Sequence, residues 1–407
     1  MKVTLINHSD MLGGASTVTF GLMQALREAG VDARMLVVHK GTGSPYVHLA
    51  APRWRARIPF LAEHLRIWTA NRFSRRNLFQ VSLATDGLPL STHPLVEDAD
   101  VVVLNWINQG MLSLAEIEKI ARRKPVVWTM HDMWNMTGIC HHAYSCQNFL
   151  THCRRGPLLG AAAGGRDASA RTFDAKMDLY DRVPIHFVAV SHWLADVARR
   201  SALLRGRDIS VINNPYAVDE LGFKSTVNRG ELGLPWNGRI ILFCAARIDD
   251  PMKNLPEAVE ALNTLVGTDA VAVFVGACRD PRALDGLRIP HYHLGPVYDR
   301  KRLRNIFGYA SVVMSSSAFE SFGATLLEAQ AMGVTPVAPA HDGRADIITD
   351  GVTGYAVGPG IRTLGEALRL ALRHPLPAAA LRAAAERYSY PVIARKYIDL
   401  FDRITAG

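Results

Sequence analysis

The chain has 407 residues, 49% of them hydrophobic and 20% charged, with a formal net charge of +9. That length suits two ordinary domains with separate cores. No run of eighteen apolar residues offers a transmembrane helix, and the apolar run after Met1 is too short for a signal peptide, so a cytoplasmic location is expected. Five cysteines, an odd number, argue against a disulfide framework in so large a chain.

Lys2 to His8 alternates like a first strand, and Thr17 to Ala29 has the pattern of a helix. The loop between them contains Gly13 and Gly14, which let the backbone approach a phosphate or an acceptor, although a tight strand-helix turn needs glycine in any case. A second strand is expected over Ala33 to His39. Between Pro52 and Asn77 the chain carries Arg53, Arg55, Arg57, Arg66, Arg72, Arg75 and Arg76 against the single acid Glu63, with Trp54, Ile58, Phe60, Leu61, Leu65, Ile67 and Trp68 among them. This is a basic amphipathic element with two open readings. It contacts anionic lipid head groups or a diphosphate-bearing acceptor, or it is a solvated helical face whose apolar side packs on the core. No nucleic-acid motif accompanies the charge, so nucleic acid is not an expected partner.

Asp98-Ala99-Asp100 spells the D-x-D pattern that can hold a divalent ion. It precedes the strand Asp100 to Trp106 instead of following it, which puts it at the wrong sheet edge and makes it a solvated turn. A helix over Leu112 to Arg122 and a strand over Pro125 to Met130 follow, the latter ending at His131. Ile185 to Ser191, His192 to Leu203 and Ile209 to Ile212 complete the alternation, and the turn residues Asn213-Asn214-Pro215 mark a boundary. The pattern restarts with strands at Arg239 to Ala245, Ala270 to Val275, Val312 to Ser315 and Val334 to Ala338. Its helices are Asn254 to Val266, Arg300 to Tyr309, Thr325 to Met332 and Leu364 to Leu372. Such alternation implies an α/β chain of two Rossmann-like, doubly wound domains, 1–212 and 213–389, with a last helical segment over 390–407.

Two groups of residues in the second half suit binding of a sugar diphosphate. Arg247 and Lys253 follow the first strand of that half, where two cations can meet charge developing on a leaving phosphate. Phe319-Glu320-Ser321-Phe322-Gly323-Ala324-Thr325-Leu326-Leu327-Glu328 then places Glu320 in a loop and Glu328 inside a helix whose first N–H groups lie near Phe322 and Gly323. Each carboxylate can accept from two vicinal hydroxyls.

This context, continued by Leu327-Glu328-Ala329-Gln330-Ala331-Met332-Gly333 and Asp350-Gly351-Val352-Thr353-Gly354, resembles the E-x7-E signature of retaining glycosyltransferases of the GT-B fold, especially glycosyltransferase family 4. The resemblance implies two domains facing across a cleft, acceptor on the first and donor on the second, with the final segment crossing back to the first domain. It implies a UDP- or GDP-sugar donor, a glycan or polyprenyl-diphosphate-linked acceptor, retained anomeric configuration and no required metal. His131, Glu320, Arg247 and Lys253 are then the catalytic residues. Arg247, Lys253, Glu320, Phe322, Gly323 and Glu328 bind donor, and Gly13 and Gly14 form an acceptor or phosphate loop. Asp132 orients His131 or caps the following segment. A sugar-nucleotide epimerase and a non-catalytic scaffold of the same fold are the rivals.

His131-Asp132-Met133-Trp134, taken with Cys140, Cys146 and Cys153, resembles an insertion in family 4 enzymes of the colanic-acid type, which make bacterial exopolysaccharide. That subset commonly has a fourth cysteine where Gly156 stands. A zinc site at Cys140, Cys146 and Cys153 would therefore need His141, His142 or His152. Reduced structural thiols or an incidental loop are the alternatives. Cys244 and Cys278, in and after apolar strands, read as small core residues.

Overall fold

A computed structural model describes residues 1–159, 167–217, 227–358 and 363–406, in two compact units. The first comprises Met1–Pro215 and Tyr390–Gly407, the second Tyr216–Ser389.

In the first unit seven strands form one parallel sheet in the order β3-β2-β1-β4-β5-β6-β7. They are β1 (Lys2–Ile6), β2 (Asp32–Val37), β3 (Val47–Leu49), β4 (Val101–Leu104), β5 (Val126–Met130), β6 (His186–Ala189) and β7 (Ile209–Val211). The central strands are apolar throughout because helices cover both faces; Val101 to Leu104 is wholly buried. Helices α1 (Gly14–Glu28), α2 (Arg53–Ala70), α3 (Leu114–Ala121), α4 (Ala168–Arg182) and α5 (His192–Arg200) connect them. The edge strand β3 and helix α4 are absent from the sequence reading. In α4 the apolar positions are diluted by Lys176 and charged neighbours, yet Phe173, Lys176, Leu179 and Tyr180 are all buried.

The second unit has six parallel strands in the order β10-β9-β8-β11-β12-β13. These are β8 (Arg239–Arg247), β9 (Ala270–Ala277), β10 (His291–His293), β11 (Ala310–Met314), β12 (Thr335–Pro339) and β13 (Tyr355–Val357). The two edge strands β10 and β13, three residues each, are the ones the sequence pattern lacks. Helices α6 (Leu255–Asn263), α7 (Arg300–Tyr309), α8 (Ala324–Met332), α9 (Leu364–Arg373) and α10 (Ala378–Ala385) flank the sheet. Phe243, Ile248, Leu262, Phe274, Met314 and Leu368 belong to its core. In both sheets the order reverses beside the first strand, at β1/β4 and β8/β11. Loops leaving the carboxyl ends of such neighbours diverge and leave room for a ligand.

Helix α11 (Tyr390–Thr405) belongs to the first unit. It buries Ile393, Tyr397, Leu400 and Phe401, and Tyr397 shares a 3.0 Å hydrogen bond with Thr129 Oγ1 of β5. Its Tyr390 ring lies over Gly21 of α1, where a Cβ would stand 3.0 Å from the phenol oxygen.

Helix α2 has its arginines in solvent and packs only part of its apolar side on the core. Its inward positions are Ala56, Pro59, Glu63 and Ile67, and the one acid of the segment, Glu63, is as fully buried as Ile67. Glu63 accepts the N–H groups of Leu83 and Ala84 at 2.7 and 2.9 Å, and burial raises its carboxyl above the ordinary range. Trp54, Ile58, Leu61 and Leu65, at i, i+4, i+7 and i+11, are each more than half exposed. Among the described residues no helix is long and apolar enough to cross a membrane.

Candidate functional site

In the second unit, β8 and β11 are hydrogen-bonded neighbours, so the turn after one meets the loop after the other. Asp250 caps the short turn Pro251–Lys253 by accepting the Met252 N–H at 3.0 Å. Ser316 Oγ, just past β11, donates within 2.7 Å of Lys253 O and 3.0 Å of Asn254 O, and Ala318 N–H donates to Met252 O at 2.9 Å. With its backbone held there, Lys253 extends its ammonium to Glu320 Oε1 at 2.5 Å. Both side chains keep partial exposure, 31% and 23%. Burial pushes the Glu320 carboxyl up, but the Lys253 charge and hydrogen bond outweigh it, and the group stays ionised below its ordinary range.

Arg247 is not part of this pair. Its guanidinium turns to Asp250 at 3.1 Å and Asp249 at 3.6 Å within its own loop. Phe322 is buried against the Tyr388 ring, 5.6 Å between centroids, so only its backbone can meet a ligand. Gly323 begins α8 at φ +98°, a conformation favouring glycine, with no side-chain cap and no acid in the first turn. Glu328 sits one turn further on. Burial raises its carboxyl to about 7, against the opposing pull of Arg300 and Arg304. Cys244 of β8, read from sequence as a core residue, is only half-buried and lies within electrostatic reach of both Glu328 and Lys253; burial pushes its thiol up to about 12.

In the first unit, His131 follows β5 and its Nε2 lies 3.0 Å from Asn105 Oδ1, which follows the adjacent β4. An amide oxygen only accepts, so Nε2 carries the proton. Burial pushes this imidazole down to about 4 against the pull of Asp132, which leaves it neutral at physiological pH. Asp132 serves the segment that follows: Oδ1 accepts Trp134 N–H at 2.8 Å, while Oδ2 is 2.7 Å from His141 Nδ1 and accepts Trp106 Nε1–H at 3.1 Å. Burial opposes its ionisation, but His141 holds it down at about 2. His141 stacks on Trp106 with 5.4 Å between centroids.

Gly13 takes φ +89° as the residue before α1, and a Cβ on it or on Gly14 would meet nothing within 4 Å, so both face open space. Asp10 braces the loop by accepting the Gly41 and Thr42 N–H groups at 2.7 and 2.9 Å. Asp98 and Asp100 lie at the opposite, amino edge of the sheet. There Asp98 receives the Lys2 ammonium and Asp100 the Lys2 N–H, each at 2.7 Å.

The zinc reading of Cys140, Cys146 and Cys153 finds no support. The three thiols line one cavity of about 10 Å³ with Phe149 and Pro157, but among the described residues no three His, Cys, Asp or Glu side chains are arranged to hold a metal. Burial pushes Cys140 up to about 12 and Cys153 to about 11, so both are thiols in the metal-free chain. Two of the candidate histidines are engaged elsewhere, His141 with Asp132 and His152 with Asp174 at 2.7 Å.

Asn105, Ser316, Asp342 and Arg344 are site-shaping residues that the sequence reading lacks. Asn105 carried a usable signal, a polar residue directly after the apolar run Val101–Leu104. The others act through tertiary contacts that no spacing reveals.

Comparison with known proteins agrees with this architecture. Residues 12–220 match the profile of Glycosyltransferase Family 4, and residues 226–389 that of Glycosyl transferases group 1. The D-inositol 3-phosphate glycosyltransferase of Xylanimonas cellulosilytica is 30% identical over 224 residues, 52% of this chain and 53% of that protein. A putative colanic acid biosynthesis glycosyl transferase, WcaC of Escherichia coli, is 26% identical over 36% of this chain and 37% of its own length. The matches thus span about half or less of these relatives. The crystal structure of Anabaena HepE in complex with UDP and glucose has a TM-score of 0.64 at 17% identity, over 99% of this chain and 100% of that one, a likeness of fold.

The raised Glu328 carboxyl makes stability pH-dependent. Its folded value, about 7, exceeds its ordinary 4.5, so the protonated form stabilises the fold fully below pH 4.5 and that contribution is lost as pH rises through 7. Glu328→Gln should therefore gain on the natural protein by up to roughly 3 kcal/mol between pH 4.5 and pH 8. Chemical denaturation of both proteins at the two pH values measures it; an unchanged difference would show that Glu328 is not held protonated.

Proposed function

The chain belongs to glycosyltransferase family 4, and from that premise we propose that it transfers a sugar from a UDP- or GDP-sugar, with retained anomeric configuration, to a glycan or lipid-linked saccharide. The setting is bacterial polysaccharide assembly of the exopolysaccharide kind, which the colanic-acid-type relative supports. The observation that carries the proposal is the Lys253–Glu320 pair beside the uncapped start of α8.

Lys253, Arg247 and the first turn of α8 supply a preorganised positive field for a departing diphosphate. Glu320, kept ionised, accepts hydrogen bonds from sugar hydroxyls, and Glu328 meets the ribose. On the first unit the neutral His131 imidazole, held by Asn105, offers a hydrogen bond to a sugar hydroxyl. The loop at Gly13 and Gly14 approaches a phosphate or the acceptor. No divalent metal is assigned, because the positive field comes from these groups and the Asp98–Asp100 pair is tied to Lys2.

The outward stripe of α2 suits peripheral attachment to the anionic inner face of a membrane, where a polyprenyl-diphosphate-linked acceptor resides. Arg53, Arg55, Arg57 and Arg66 are exposed on the helix that carries Trp54, Ile58, Leu61 and Leu65. Each arginine contributes on the order of 1 kcal/mol near anionic lipid, and the apolar side chains insert at the head-group boundary.

Thermal-shift screening against nucleotide sugars identifies the donor, since a ligand at 100 times its Kd stabilises by about 2.7 kcal/mol. With that donor and a matching acceptor, nucleoside diphosphate should be released and the new linkage should keep the donor's anomeric configuration by proton NMR; inversion refutes the proposal. Transfer should persist in a chelator, and Lys253→Ala should slow it roughly a hundredfold or more.

Sedimentation with vesicles tests the attachment. Binding should be confined to anionic vesicles, weaken at high salt and fall when Ile58 and Leu61 are both replaced by Ser. Equal binding to neutral and anionic vesicles, or none to either, would remove the membrane from the account.

A further inference from the structure

The corner Asp342-Gly343-Arg344, directly beyond β12, holds a bidentate ion pair. Arg344 Nε and Nη2 each lie 2.9 Å from an Asp342 oxygen, and the two side chains are 0% and 2% exposed. Removing two charges from water is costly, and an apolar pair of similar volume is often equally stable, so stability alone is a weak account of such a pair.

Asp342 also caps its own short turn by accepting the Arg344 N–H at 3.1 Å, and the side-chain hydrogen bonds that leave the corner go to one place. Asp342 Oδ2 accepts the Glu320 N–H at 2.8 Å, and Gly343 N–H donates to Glu320 O at 3.1 Å. Arg344 Nη1 donates to Ser317 O at 2.7 Å, and Ser317 in turn gives Glu320 a side-chain hydrogen bond. The corner also touches the start of α8. A Cβ on Gly343 would stand 2.1 Å from Ser321 O, and a Cβ on Gly323 would stand 3.0 Å from Arg344 Cγ. Both peptide groups of Glu320 are therefore fixed from 342–343, while its carboxylate faces Lys253.

We infer that the buried Asp342–Arg344 pair is a positioning device that sets the Glu320 loop, and through it the Lys253–Glu320 contact and the first turn of α8, for the sugar of the donor. Asp342 and Arg344 touch no substrate; they act through Glu320. The inference deepens the donor-site reading above and rests on it for its kinetic consequence, but the placement of the loop can be tested without it. Lysine at position 344 keeps the charge yet cannot reach both Asp342 oxygens and Ser317 O together.

The test compares the full chain with Arg344→Lys and Asp342→Asn. Amide hydrogen exchange read by mass spectrometry should show protection lost at least tenfold over 317–323 in both variants, with the β8, β9 and α9 peptides unchanged. Unchanged exchange over 317–323, or an equal loss throughout the second unit, overturns the inference, the latter because it marks a merely structural pair. The kinetic arm uses UDP and UDP-glucose, with GDP and GDP-mannose in parallel. Affinity for the nucleotide alone should stay within about threefold, while kcat/KM for the sugar nucleotide falls tenfold or more; parallel losses in both overturn the kinetic consequence. If the natural protein binds none of the four, the donor-site reading fails and the exchange arm decides the positioning inference alone. Should one variant not fold, the other carries both arms.

Discussion

Every strand in each sheet runs the same way, and the arrangement of functional groups depends on that. Parallel direction places all carboxyl ends on one edge, and the reversal of strand order beside β1 and β8 separates the loops that leave there. Lys253 and Glu320 are far apart in sequence but leave adjacent strands, β8 and β11, so their side chains need only a short reach to pair. Asn105 and His131 meet by the same geometry at the ends of β4 and β5. Asp98 and Asp100, with suitable chemistry at the amino ends, are excluded from that edge by one reversal of position along the strand.

Charges near the donor-site candidates are treated unequally, and burial explains the differences. Glu320 has a cation in contact and remains ionised, whereas at Glu328 burial outweighs the pull of Arg300 and Arg304 and raises the carboxyl to about 7. Asp342 and Arg344 are buried more deeply than either, but each charge finds two hydrogen bonds in the other and the rest in the Glu320 loop. Desolvation is tolerable where hydrogen bonds and opposite charge replace water together. One consequence is a Glu320 backbone hydrogen-bonded at both its N–H and its carbonyl, beside a partly exposed Lys253 ammonium.

Helix α2 departs from the usual division of polar and apolar faces. Glu63 is drawn inside because the chain bend at Leu83 and Ala84 leaves two N–H groups that need an acceptor, and a carboxylate oxygen satisfies both. With Glu63 and Ile67 inward, the helical repeat turns Ile58, Leu61 and Leu65 outward. Exposure of these side chains thus follows from one buried hydrogen-bonding need, and it gives the first unit an apolar stripe bordered by arginines.

The α/β class, the two doubly wound sheets and the strands at their centres were legible in the sequence because a strand covered on both faces must be apolar along its length, as Val101–Leu104 and Val271–Val275 are. The Glu320 to Glu328 junction was legible as well, since a glycine entering a helix after small polar residues is a local signal. The edge strands β3, β10 and β13 were not, because three residues with one open edge need little hydrophobicity. Nor was the inward placement of Glu63, the inward turn of Phe322, or the direction of Arg247 toward Asp249 and Asp250. The Asp342–Arg344 corner also lay beyond the sequence. Local sequence carries periodicity and turn chemistry, which act over a few residues; which charge is buried, and against what, depends on neighbours brought from distant parts of the chain, and only the folded sheet decides them.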